Sequence, residues 1–120
     1  MPMDQFQLQT TVGPTGACIL QVLGPFTLKD VFEFQNKARN ESERAIIVDL
    51  SGTPYMDSAG LGAILGVFAS CQRTHRGFAL AGASGRVQTL LQVAKADHIL
   101  ALYDTVEAAE ARLAAKAQQA

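Results

Sequence analysis

The chain has 120 residues, the length of one domain that can fold around its own hydrophobic core. Its apolar fraction of 48% and its charged fraction of 18% are ordinary for a globular protein and exclude disorder, collagen and coiled coil. Ten basic and 11 acidic side chains leave a net charge of −1, so no overall field favours nucleic acid or an anionic membrane as a partner.

The two cysteines, Cys18 and Cys71, lie far apart in the sequence and lack the spacing of metal ligands. Such a pair favours a reducing compartment over a disulfide framework. The first residues contain no basic segment followed by an apolar one, which predicts no secretory signal. We therefore expect a soluble cytoplasmic protein with no metal, no cofactor and no membrane insertion.

The first elements in the chain are predicted to be two strands. Apolar and polar residues alternate from Phe6 to Val12, and this period of two is typical of a half-solvated strand. After a turn, the apolar run Ala17–Leu23 predicts a buried strand that stops at Gly24 and pairs with the first as a hairpin.

The period changes to that of a helix after this hairpin. Thr27 is available as the N-cap of the predicted helix. The residues at helical spacing are Leu28, Val31, Phe32, Gln35 and Ala38.

Strands and single helices alternate in the remainder of the chain. Apolar runs predict strands at Arg44–Leu50, Phe78–Ala81 and His98–Leu102. Apolar stripes predict three helices, which contain Leu61, Ile64, Leu65 and Phe68, then Val87, Leu90, Leu91 and Ala94, and finally Val106, Ala109 and Leu113, the last capped by Asp104 or Thr105.

The element order ββαβαβαβα predicts a single α/β domain over residues 1–120, with 1–5 and 115–120 frayed. Because single helices separate the later strands, we expect a mixed, mostly parallel sheet of about five strands with about four helices.

The most informative segment is 49–66, DLSGTPYMDSAGLGAILG, which joins a buried strand to an apolar helix. Ser58 stands at this junction, where its hydroxyl could simply cap the helix for about 1 kcal/mol. Gly60 and Gly62 each cost about 1 kcal/mol relative to Ala in a helix. They either admit the backbone of a partner or allow packing against the sheet, and both alternatives stay open.

Two other interpretations of this segment are weaker. The glycines imitate part of a dinucleotide-binding fingerprint, but the loop 51–59 separates them from the strand. A catalytic Ser58 would need a histidine base, and only His75 and His98 exist. His75 is expected to end a helix and His98 to begin a strand. Cys71 and His75 stand one helical turn apart, but two ligands do not form a zinc site.

The run V-D-L-S-x-x-x-x-M-D-S-A-G-L-G-x-x-L-G, from Val48 to Gly66, resembles the phosphorylation-site region of the STAS-domain anti-sigma factor antagonists of bacteria. The order of strands and helices over nearly the whole chain is also similar to that family. The resemblance implies a STAS-like fold and a role in transcription regulation. The missing histidine base, metal-ligand spacing and phosphate-binding loop predict no enzymatic activity.

The resemblance also implies a partner-switching mechanism. In that family, the serine that matches Ser58 is phosphorylated by an anti-sigma factor that is also a serine kinase, and a PP2C-type phosphatase reverses the modification. The unphosphorylated antagonist binds the anti-sigma factor and frees the sigma factor. The residues expected to contact the partner are Thr27, Met56, Asp57, Ser58, Gly60, Leu61 and Gly62.

One loop departs from the pattern of this family. After the second strand the family usually carries Gly-x-Leu-Asp, whereas this chain has the sequence GPFT at 24–27. This difference leaves room for an alternative function, a STAS scaffold or small-ligand sensor outside sigma partner switching. An enzyme with Ser58 as its nucleophile is a third and weaker hypothesis.

Overall fold

A computed structural model describes residues 5–119, and the predicted α/β class with a five-stranded sheet and four α-helices is confirmed within this range. The strands are β1 (Gln7–Val12), β2 (Cys18–Leu23), β3 (Ala45–Gly52), β4 (Gly77–Ala81) and β5 (Leu102–Tyr103). The helices are α1 (Val31–Arg39), α2 (Ser58–Arg73), α3 (Gly85–Val93) and α4 (Val106–Gln119), with 3₁₀ turns at Leu28–Asp30 and Ala96–His98.

The sheet is mixed and mostly parallel, as expected. Its strand order is β1-β2-β3-β4-β5, in which β1 is antiparallel to β2 and the other neighbours are parallel. The carboxyl ends of β2, β3, β4 and β5 therefore meet at one edge of the sheet, which we call the carboxyl edge, and their amino ends meet at the opposite amino edge.

Alternating residues of the central strands build two cores on the two faces of the sheet. Ile46, Val48 and Leu50 of β3 face the larger core, to which α1, α2 and α3 contribute. Ile47 faces a smaller core, which is closed by Ala109 of α4. Helices thus cover both faces, as parallel strands require.

The buried face of α1 differs from the predicted one. Leu28 is 71% exposed in the 3₁₀ turn and Phe32 is 74% exposed, whereas Phe34 and Ala38 are buried. Phe34 packs against Phe26, with ring centroids 4.8 Å apart. The prediction is therefore wrong for Leu28, which lies in the 3₁₀ turn, and for Phe32, whereas Val31 packs against the larger core and Ala38 is buried as predicted.

The last strand also differs from its prediction at His98–Leu102. His98 ends a 3₁₀ turn instead of beginning a strand, and β5 contains only Leu102 and Tyr103. Ala96 and Leu100 are buried in the larger core, so this apolar run packs as a turn. Short apolar runs do not distinguish these outcomes by periodicity.

Residues 1–4 and 120 lie outside the described part of the chain, and the fraying expected there stays a prediction. Residues 115–119, where fraying was also expected, continue α4. Near the C-terminus, Thr105 caps α4, because its hydroxyl oxygen accepts a hydrogen bond from the Ala108 N–H at 3.1 Å. Of the two predicted caps, Asp104 and Thr105, the structure therefore selects the second.

Candidate functional site

The segment that carries Ser58 lies at the carboxyl edge, between the end of β3 and the start of α2. Thr53 anchors it there. Its side chain is buried, its hydroxyl donates to the Val22 carbonyl at 2.8 Å, and its N–H donates to the Leu50 carbonyl at 3.0 Å. The loop is therefore fixed to β2 and β3 before it reaches Ser58.

The loop after β2 is paired with the loop before α2. Phe26 forms an isolated parallel bridge with Met56. The Phe26 N–H donates to the Tyr55 carbonyl at 3.1 Å, and the Asp57 N–H donates to the Phe26 carbonyl at 3.2 Å. Because the Phe26 ring is fully buried, this pairing holds both loops against the core.

Asp57, and not Ser58, is the N-cap of α2. Its Oδ1 accepts a hydrogen bond from the Gly60 N–H at 2.9 Å, in the usual N-cap geometry. Its Oδ2 accepts one from the Leu28 N–H at 3.1 Å. One carboxylate thus joins the start of α2 to the 3₁₀ turn before α1, and the alternative in which Ser58 merely caps the helix is excluded.

Ser58 is the first residue of α2 and is exposed. Within residues 5–119, its hydroxyl forms no hydrogen bond, and the N–H groups of Ser58 and Ala59 have no acceptor. Free N–H groups and the positive end of the helix dipole favour negative charge at this position. The site can therefore accommodate a phosphate on Ser58 without a change of fold.

The two glycines of the first turns have different surroundings. At Gly60, which is buried, a Cβ would lie 2.7 Å from the Phe26 carbonyl oxygen, so the absence of a side chain permits packing within the chain. At Gly62, which is exposed, a Cβ would meet nothing within 4 Å. Of the two alternatives left open for the glycines, internal packing applies to Gly60, and only Gly62 is free for a partner.

The residues predicted to contact a partner divide between surface and core. Met56 and Leu61 are buried in the larger core, 7% and 5% exposed, so their side chains offer little to a partner. Thr27 and Asp57 are half-buried. The Thr27 N–H donates to Asp30 within the 3₁₀ turn, and Asp57 accepts from the Leu28 N–H. The exposed members of the predicted set are Ser58 and Gly62.

Two features beside the site were not predicted. Leu28 is largely exposed and is tied to Asp57 through its N–H. The Arg86 guanidinium of α3 lies 4.7 Å from the ring centroid of Tyr55, a cation–π contact next to the loop. No sequence signal marks this pair, because positions 55 and 86 meet only when α3 is placed beside the loop.

This arrangement matches a known domain family. The family model described as the STAS domain matches residues 8–109, which includes every strand except the first residue of β1. The chain belongs to the STAS domain family.

A relative by sequence is a Thermotoga neapolitana protein named as a candidate anti-sigma factor antagonist. It is 34% identical over 77 residues, which cover 64% of this chain and 65% of that protein. The match thus spans slightly less than two thirds of the relative's length.

Two solved structures share the STAS fold. The anti-sigma factor antagonist SpoIIAA of Bacillus, in its unphosphorylated form, has a TM-score of 0.75 and 19% identity, covering 88% of this chain and 95% of that one. A sulfate transporter family protein from Wolinella succinogenes has a TM-score of 0.77 and 22% identity, covering 92% and 93%. At these identities the likeness shows the fold alone.

A second polar cluster lies at the amino edge of this STAS domain, and no sequence pattern predicts it. The ligand atoms of Cys18, Glu41 and Glu43 lie within 4.8 Å of one another. The Cys18 Sγ donates to Glu41 Oε1 at 3.6 Å. Burial, followed by the charges of Glu41 and Glu43, raises the pKa of the Cys18 thiol to about 12. Within residues 5–119, Glu43 Oε1 is buried and has no hydrogen-bond partner, so the bond between Cys18 and Glu41 does not satisfy the whole cluster.

Neither histidine is placed as a base for Ser58. His75 lies beyond the far end of α2, whose 16 residues span about 24 Å. It is exposed and has a φ of 58°. His98 is exposed in the turn that precedes β5, at the amino edge. The structure therefore gives no support to Ser58 as a catalytic nucleophile.

Among the helices of residues 5–119, none has both the length and the apolar character that a membrane crossing requires.

Proposed function

We propose that this protein is a phosphorylatable anti-sigma factor antagonist. In its unphosphorylated state it binds an anti-sigma factor that is also a serine kinase, and phosphorylation at Ser58 releases it. The observation that carries the proposal is an exposed, unengaged Ser58 hydroxyl on a helix whose capping is already done by Asp57. The names of the Thermotoga and Bacillus relatives support the same role.

The surroundings of Ser58 support a switch that acts at the contact surface. A phosphoserine adds about 1.5 to 2 negative charges, which the free N–H groups at the start of α2 tolerate. The same dianion would stand beside the Asp57 carboxylate in any interface that covers this surface. Burying an uncompensated charge costs several kcal/mol, so one modification abolishes binding while the fold survives.

In the proposed function, the unphosphorylated chain binds the anti-sigma factor. A PP2C-type phosphatase would restore this state by removing the phosphate from Ser58. Of the residues predicted to contact the anti-sigma factor, Ser58 and Gly62 on α2 are exposed, and Leu28 is exposed beside them. Gly62 would allow the partner's backbone to approach α2 closely, since no atom of this chain fills the space above it. Gly62→Val should accordingly weaken binding by holding the partner at a distance.

The proposal is tested with a candidate anti-sigma factor/serine kinase from the same organism. Phosphopeptide mapping should place the phosphate on Ser58 alone. Ser84 is the internal control, because its hydroxyl oxygen accepts the Val87 N–H at 3.4 Å and caps α3. Ser58→Ala should bind like the parent chain and resist release by the kinase. Undiminished phosphorylation of Ser58→Ala would contradict the proposal.

A chain that binds no anti-sigma factor in either phosphorylation state would instead favour the alternative, a STAS scaffold or small-ligand sensor. Calorimetric titration of unmodified and phosphorylated protein against the same partner separates these two functions.

A further inference from the structure

The sheet has two outer strands, β1 and the two-residue β5, and β1 is the longer of them. Within residues 5–119, β1 pairs with β2 and with no other strand. Natural edge strands are commonly protected by charged residues, proline or a bulge. The sequence of β1, QLQTTV, contains no charge and no proline, and its register with β2 is continuous.

The hydrogen bonding of the hairpin identifies the backbone groups on this edge. The Gly13 N–H donates to the Ala17 carbonyl at 2.9 Å, next to the pair Val12 and Cys18. Since antiparallel pairs alternate, the odd-numbered residues of β1 point their backbone groups toward β2. The N–H and C=O groups of Leu8, Thr10 and Val12 therefore point outward, away from the sheet.

We propose that β1 is a homodimer interface, in which two copies of this chain pair their β1 strands antiparallel to form one ten-stranded sheet. A register centred on Thr10 places Thr10 opposite Thr10 of the second copy, and Leu8 opposite Val12 of the second copy. The result is three directly opposed pairs that each exchange two hydrogen bonds. Every outward backbone group of β1 is then satisfied.

The side chains fit the same register. A two-fold axis perpendicular to the sheet keeps Leu8, Thr10 and Val12 of both copies on one face, so apolar residues oppose apolar ones and threonine opposes threonine. Val12 is 65% exposed in the single chain and gains a partner in Leu8. No charged side chain of β1 meets a like charge across the axis.

An open groove lies beside this edge on the same face. It has a volume of about 590 Å³ and is lined by two apolar residues, Leu8 of β1 and Phe32 of α1. Its other lining residues are polar or charged: Lys29, Glu33, Asn36, Lys37 and Asn40. Val12 of the second copy, opposite Leu8, would enter this groove next to the exposed ring of Phe32. The pairing thus covers two exposed apolar side chains, Val12 and Phe32, that the larger core leaves outside.

A second copy is the occupant that these observations favour over an unrelated strand. When β1 pairs with itself in this register, Leu8 opposes Val12 and Thr10 opposes Thr10. The same contacts form in both copies. The inference concerns a different edge from Ser58 and goes beyond the proposed function.

The first test is the oligomeric state of the full chain, measured by sedimentation equilibrium up to about 100 μM, a range that reveals the weak dimers of small interfaces. We expect twice the 12.8 kDa mass of one chain. Thr10→Pro should return the mass to that of one chain without unfolding it, because its N–H points outward and a proline is tolerated on an edge strand. Thr10→Lys, which places two ammonium groups at the axis, should do the same, and Thr11→Lys is the matched control that leaves the dimer in place.

The second test is the register. In Thr10→Cys, the two new thiols face each other across the axis and should form an intermolecular disulfide under mild oxidation. In Thr11→Cys, each thiol opposes Gln9 of the second copy, so no crosslink is expected. Cys18 and Cys71 are buried and do not compete. The proposal is overturned if the parent chain is monomeric or if its dimer is unaffected by Thr10→Pro and Thr10→Lys. Equal crosslinking of Thr10→Cys and Thr11→Cys overturns it as well.

Discussion

At the amino edge of the sheet, Cys18 is 1% exposed, its thiol donates to Glu41, and Arg76 donates to the backbone carbonyls of Glu41 and Glu43 at 3.0 and 2.8 Å. At the carboxyl edge, Asp57 satisfies the helix and the neighbouring turn, and the Ser58 hydroxyl stays exposed without a hydrogen bond. Both edges bring polar groups from distant segments together. Within residues 5–119, the carboxyl edge leaves the exposed Ser58 hydroxyl without a hydrogen bond, whereas the amino edge leaves the buried Glu43 Oε1 without one. The exposure of Ser58, at the start of a helix, distinguishes the candidate site from the cluster at the amino edge.

The largest effect is expected from a permanent negative charge at position 58. Ser58→Asp should weaken binding to an anti-sigma factor at least 100-fold, or about 2.7 kcal/mol, because the partner must bury the carboxylate. Its unfolding free energy should change by less than about 1 kcal/mol, since an acid in the first turn interacts favourably with the helix dipole. Calorimetric titration and thermal melts on one preparation check both values. Unfolding of the variant, or parental affinity, would show that the surface switch is wrong.

Gly60 and Gly62 of α2 allow the effect of a buried glycine on stability to be compared with that of an exposed one in the same helix. Gly60→Ala should destabilise the fold by about 1 to 3 kcal/mol, because the new Cβ meets the Phe26 carbonyl. Gly62→Ala should stabilise it by up to about 1 kcal/mol, because its methyl enters open space and alanine favours the helix. Urea unfolding of the pair measures the difference, and equal effects at both positions would refute the assignment.

Asp57 is expected to contribute to stability through both of its carboxylate oxygens. Asp57→Ala removes the acceptors for the Gly60 and Leu28 N–H groups and should cost about 2 kcal/mol. Asp57→Asn is the matched control, since it keeps one acceptor oxygen and should cost about half as much. Chemical denaturation gives both values. If alanine and asparagine are equivalent, the bond to the 3₁₀ turn contributes nothing.

The last prediction concerns the pH dependence of stability and tests the amino edge. The pKa of Cys18 is raised from 9.0 to about 12, so the folded chain holds a proton between these values that the unfolded chain releases. This contribution to stability is complete below about pH 9 and is lost as the pH rises toward 12. Cys18→Ala should flatten the alkaline part of the stability curve relative to the parent. The same slope in both proteins would mean that another group titrates there.

The sequence alone determined the order of elements, the mixed sheet and the position of Ser58 at the start of α2. Hydrophobic periodicity is a local property, and the Met-Asp-Ser-x-Gly segment carries its family resemblance within a few residues. Local patterns did not determine which of two neighbouring residues caps α2. Asp57 and Ser58 are both residue types that cap helices well. Asp57 also accepts a hydrogen bond from the Leu28 N–H, which lies 29 positions away in the sequence.

Tertiary structure alone decided which residues are available to a partner. Met56 and Leu61 look like exposed apolar residues at a loop, yet the pairing with Phe26 draws both into the core, and the 3₁₀ turn leaves Phe32 outside. Gly60 and Gly62 are the same residue type in the same helix. They differ because the loop between β2 and α1 packs against Gly60 and not against Gly62. Burial depends on contacts between segments far apart in the chain, and no periodicity within one segment encodes them.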